Sequence, residues 1–145
     1  MSIKKESSMK KIFKLGIAVV AAVCIAYLAA GCAVGPASID DVVVAESLDA
    51  AYKPVNPVDS YPAGATLFSI SVKVSNLKTE NKLTVKWFYK DTGEQVNVTE
   101  YVPDKPGSGY IGFTLELPEG FPVGTYYTEA YLDGQLIKTV EWSVK

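Results

Sequence analysis

From residue 39 to its end the chain predicts an all-β fold: an antiparallel β-sandwich of about seven strands, preceded by an N-terminal helix. Three observations carry this. Apolar and polar residues alternate at period two in one short segment after another. Turn residues separate these segments about every ten positions. Beyond residue 38 no segment holds a helical period long enough to form a helix. With about 113 residues after Cys32 there is room for one small domain and not two.

The elements follow in order. A first strand is expected over residues 42–48. A broken edge then runs through Tyr52-Lys53-Pro54-Val55-Asn56-Pro57, because each proline lacks the N–H that a central strand donates. After the loop ending at Tyr61-Pro62-Ala63-Gly64, residues 67–74 put Phe68, Ile70, Val72 and Val74 on one face and Ser69, Ser71 and Lys73 on the other. Residues 83–90 repeat the pattern, with Leu83, Val85, Trp87 and Tyr89 inward. Asp91-Thr92-Gly93 turns the chain into a strand over 95–101. Ile111, Phe113, Leu115 and Leu117 define the next inner face, and Pro118-Glu119-Gly120 ends it. Residues 126–132 and 136–144 close the domain as a hairpin on Asp133-Gly134, a pair suited to a two-residue turn.

Composition removes whole classes of chemistry. The chain contains no His and no Arg, and no Cys follows Cys32. A Ser-His or Cys-His nucleophile pair, the usual zinc ligand sets and common haem or iron–sulfur ligation are therefore excluded, as is a disulfide inside the domain. The nine lysines after Cys32 are outnumbered by Asp and Glu, so no basic footprint for nucleic acid is present. An enzyme would have to run on paired carboxylates, and Glu116, Glu119, Glu129 and Glu141 are scattered among strands. Asp40, Asp41, Glu46 and Asp49 lack the spacing and central glycine of a calcium loop and are expected as a solvated acidic edge. No catalytic residue, metal or cofactor is assigned, and the expectation is a non-enzyme.

The N-terminal region carries a cationic start at Lys10, Lys11 and Lys14, an apolar run from Leu15 to about Ala30, and small residues before Cys32. Leu28-Ala29-Ala30-Gly31-Cys32 resembles the lipobox of bacterial lipoproteins. The resemblance implies cleavage between Gly31 and Cys32 and a diacylglyceryl group on the Cys32 sulfur. On this reading residues 1–31 are the signal peptide with Met9 as the true start, 32–38 a lipidated tether, and 39–145 the domain. The protein would then be lipid-anchored at the cell membrane and face the extracytoplasmic side, since the lysines stay inside. The alternative is an uncleaved single membrane span, for which the uncharged stretch is long enough. Cys24 is expected as an apolar filler within the run.

The strand order resembles the immunoglobulin-like and fibronectin-III-like folds. Trp87 stands where such domains place a core tryptophan, and Gly124-Thr125-Tyr126 is similar to the tyrosine corner that opens the sixth strand. The paired core cysteines are missing, so apolar packing must replace the bridge. The resemblance implies an adhesion or binding role. Phe88, Tyr127 and Tyr131 point outward by the alternation, and with Ile137 would form an apolar stripe on one outer face, an expected contact surface for an envelope protein or a glycan. The alternative is that these rings are cross-strand pairs stabilising the sheet.

Overall fold

A computed structural model describes residues 21–30 and 35–145. Met9, Gly31 and Cys32 lie outside the described residues. Ten strands follow one another: β1 (Ala21–Ala30), β2 (Ser38–Leu48), β3 (Pro54–Pro57), β4 (Ser60–Tyr61), β5 (Leu67–Leu77), β6 (Leu83–Tyr89), β7 (Glu94–Tyr101), β8 (Gly107–Glu116), β9 (Gly124–Leu132) and β10 (Gln135–Val144). They form two five-stranded sheets, one in the order β1-β8-β5-β2-β3 and the other β4-β10-β9-β6-β7. The all-β sandwich stands as expected, with more segments than seven because the proline-rich stretch splits into β3 and β4 and because β1 joins.

β1 corrects one expectation. The part of the apolar run from Ala21 to Ala30 is a strand and not a helix, antiparallel to β8 along that strand's whole length. The physical reason is that β8 offers a row of unpaired N–H and C=O groups, and pairing them overrides the helix preference of an Ala-rich segment, as tertiary context commonly does. Cys24, Ala26 and Leu28 pack against the core, while Val23 and Ile25 face outward. Burial pushes the Cys24 thiol up to about 12, consistent with an inert apolar filler.

The inner faces are those the alternation predicts. Phe68, Ile70, Val72 and Val74 of β5, Leu83, Val85, Trp87 and Tyr89 of β6, and Ile111, Phe113 and Leu115 of β8 are all buried. Each fully buried side chain of this size contributes roughly 1.5–3 kcal/mol relative to exposure. Ser69 and Ser71 face the other way yet are also buried, because the chain leaving β2 folds over them and the Ser71 hydroxyl donates to the Tyr52 carbonyl at 2.6 Å. The same cover lies close over Gly112, where a Cβ would come within 2.8 Å of Leu48 Cδ1 and push that side chain aside.

The Tyr126 hydroxyl donates to the Pro122 carbonyl, four residues upstream, at 2.6 Å, which is the tyrosine-corner bond. In the closing turn Asp133 and Gly134 both take positive φ (52° and 83°), as a type I′ hairpin requires. The Asp133 carboxylate also accepts from the Lys82 N–H at 2.8 Å and from Asn81 Nδ2 at 2.7 Å, tying the hairpin to the β5–β6 loop.

Candidate functional site

β6, β9 and β10 lie side by side in one sheet, so the outward residues of all three share a face. Register then sets the rows. Phe88 pairs with Tyr127, Lys86 with Glu129, and Thr84 with Tyr131. Phe88 and Tyr127 stack with ring centroids 4.7 Å apart and planes 9° from parallel. Lys86 Nζ sits 4.6 Å from the Tyr131 ring centroid, and the Tyr131 hydroxyl donates to Glu129 Oε1 at 2.7 Å. That bond to a carboxylate, more than desolvation, raises the Tyr131 phenol above its ordinary value. Lys82 and Glu100 form an ion pair at 2.8 Å beside a shallow depression of about 320 Å³ that also includes Thr84, Lys86, Val98 and Tyr131.

All three expected binding residues are therefore on one face, half-buried. Phe88 and Tyr127 form the cross-strand pair that was the structural alternative. Tyr131 stands apart from them, separated by the Lys86–Glu129 row. A shift in register between Leu136 and Lys138 takes Ile137 out of the expected stripe, and Leu136 stands opposite Tyr131 instead. Leu136 and Ile137 remain exposed at the rim of the face.

The acidic residues resolve into local partnerships. Asp40 accepts from Ser75 and Ser38, whose hydroxyls hold its carboxyl below the usual range. Asp41 lies 2.6 Å from Lys138 Nζ and is lowered chiefly by that bond. Asp49 accepts from the Ala51 and Lys53 N–H groups, closing a turn. Glu141 pairs with Lys90 at 2.5 Å. Among the described residues no group of three or more metal-ligating side chains converges.

Sequence patterning missed an aromatic cluster at one end of the sandwich. Phe68 stacks on Phe121 at 3.7 Å, Tyr126 on Trp142 at 4.6 Å, and Tyr61 meets Phe68 and Trp142 at 5.0 and 5.6 Å. Tyr61 and Phe121 come from a two-residue strand and a loop, where no periodicity marks an inward position. The Tyr61 hydroxyl reaches across to the other sheet, donating to the Ala45 carbonyl at 2.7 Å and accepting from the Ser69 N–H at 3.2 Å. Burial pushes this phenol up to about 12.

No family model matches the chain, and no curated protein matches it. Solved structures do. An immunoglobulin-like protein from Pseudomonas aeruginosa is similar at 15% identity with a TM-score of 0.55, over 77% of this chain and 98% of that one. The C-terminal domain of Wzt follows at 13% identity and a TM-score of 0.46, over 87% of this chain and 78% of that one. A candidate lipoprotein from Bacillus anthracis is similar at 10% identity with a TM-score of 0.39, over 74% and 76%. At such identities the likeness is one of fold, and the first of these structures together with the two-sheet topology and the tyrosine corner makes this chain an immunoglobulin-like β-sandwich.

Proposed function

We propose that this chain is a cell-envelope lipoprotein anchored through Cys32, whose domain works as a non-catalytic binding or assembly module for another envelope component. The observation that carries the binding reading is the outer face of β6, β9 and β10. It holds three half-exposed rings, Phe88, Tyr127 and Tyr131, with exposed Leu136 and Ile137 at its rim. Rings of this kind tend to dominate contact energies when they sit at the centre of an interface. The ordered cationic, apolar and small-residue regions before Cys32 support the anchor. A tether would hold the face near its partner, so modest affinity suffices through local concentration.

A protein partner suits the face better than a glycan. Phe88 and Tyr127 each spend one ring face on the other, and Tyr131 has Lys86 over its ring and Glu129 on its hydroxyl, leaving less free planar surface for a sugar. The test is a pull-down of the lipidated protein from membranes, comparing the parent with Phe88→Ser/Tyr127→Ser/Tyr131→Ser. Losing the stack costs roughly 0.5–1.5 kcal/mol beyond the buried area, so the variant should fold, as near-ultraviolet circular dichroism will show, and should release the partner. A folded variant that retains the same partner refutes the assignment of this face.

A further inference from the structure

The four sheet edges are not alike. β3 is four residues long and begins and ends in proline, β4 is only two residues, and β7 carries Glu94 and Glu100 and pairs with β6 through a bulge. These are the devices by which natural sheets blunt their edges. The fourth edge is β1, and beneath it lies β8, ten residues long with no proline, no lysine and a single acid at its very end. β1 pairs with it over ten consecutive positions with no bulge, from Ala21 opposite Glu116 to Ala30 opposite Gly107. The five residues between β7 and β8 contribute no strand to that edge. Only β1 covers it.

The fit is also one of size. Cys24 lies opposite Phe113, Ala26 opposite Ile111, and Leu28 opposite Gly109, so small faces large and large faces glycine along the inner side. Val23 and Ile25, 43% and 45% exposed, point outward over the floor formed by Gly112 and Thr114.

We infer that β8 is a strand-accepting edge. Once the chain is cut before Cys32, β1 departs with the leader, and the vacated edge takes an extended, uncharged segment of another envelope polypeptide, antiparallel to β8. That segment carries small residues opposite Phe113 and Ile111 and a leucine-sized residue opposite Gly109. This rests on the lipoprotein reading, since without cleavage β1 stays in place. Main-chain bonding along ten positions supplies affinity, and the small-small-large pattern supplies selectivity. A second copy's β8 fits less well, because it would set Ile111, Phe113 and Leu115 against equally bulky neighbours in space shaped for Cys and Ala.

The test uses the protein purified from host membranes in detergent, with a synthetic peptide of residues 21–30 flanked by lysines as probe. Intact mass comes first: a species retaining residues 21–30 overturns the lipoprotein reading and this inference together. For the processed species, those amides of residues 107–116 that face away from β5 should exchange rapidly and slow on addition of the peptide, while those bonded to β5 stay protected throughout. A peptide carrying Cys24→Phe and Ala26→Phe should bind about tenfold more weakly or worse. Absent binding, or equal binding by both peptides, overturns the acceptor edge while leaving the anchor standing. So does protection of the amides facing away from β5 in the processed protein alone, whether as a monomer that closes its own edge or as a dimer.

Discussion

Replacing Tyr61 by Phe tests whether a two-residue strand holds the sandwich together at its aromatic end. The substitution keeps the ring against Phe68 and Trp142 and removes only the hydroxyl. That hydroxyl donates to the Ala45 carbonyl and accepts from the Ser69 N–H, and Ala45 and Ser69 are 0% and 2% exposed. Water cannot replace the lost partner at either place. One net hydrogen bond is worth about 1 kcal/mol, and an orphaned buried donor adds about 1–2 kcal/mol, so the loss should come to about 2–3 kcal/mol. For a domain of this size that lowers Tm by roughly 10 °C. Tyr126→Phe is the internal control: its acceptor, the Pro122 carbonyl, belongs to a half-buried residue that solvent can reach, and the expected loss is about 1 kcal/mol. Guanidinium unfolding followed by the fluorescence of Trp87 and Trp142 measures both. If Tyr61→Phe costs no more than Tyr126→Phe, burial does not set the worth of these two hydroxyls and the reasoning fails.

Three further outcomes are expected. Trp87 Nε1 finds no partner among the described residues, whereas Trp142 Nε1 donates to Thr128 Oγ1 at 3.2 Å; Trp142→Phe should therefore exceed Trp87→Phe by about 1 kcal/mol in the same unfolding experiment, and Trp87→Ala should cost roughly 3–5 kcal/mol. Cys32→Ala should leave the precursor uncleaved and unlabelled by radioactive palmitate, while Cys24→Ala changes neither; labelled, processed protein in the Cys32 variant refutes the anchor. The carboxyls of Asp40 and Asp41 are held below 3.8 by Ser75 and Lys138 respectively, so the stability they add is present above that value and disappears as pH falls through their lower folded values. Asp41→Asn should then flatten the fall in Tm measured below about pH 4, and an unchanged slope would show that the Lys138 pair contributes nothing.

Period-two alternation, glycine and proline placement and the Asp133-Gly134 pair determined, without any coordinates, the sandwich, its inner faces over β5, β6, β8 and β9, and the outward direction of Phe88, Tyr127 and Tyr131. These are consequences of local geometry: successive strand residues point to opposite faces, and only one face can be apolar and buried. Tertiary structure alone decided three other things. The stacking of Phe88 on Tyr127, and the isolation of Tyr131 behind Lys86 and Glu129, depend on the register between β6 and β9. The shift that displaces Ile137 depends on where β10 accommodates one extra residue. The run from Ala21 to Ala30 became a strand because β8, which is remote in sequence, offered it an edge. A segment's own periodicity does not say which distant strand it will pair with, so the same Ala-rich stretch reads as a leader by itself and as the last strand of a sheet when β8 is beside it.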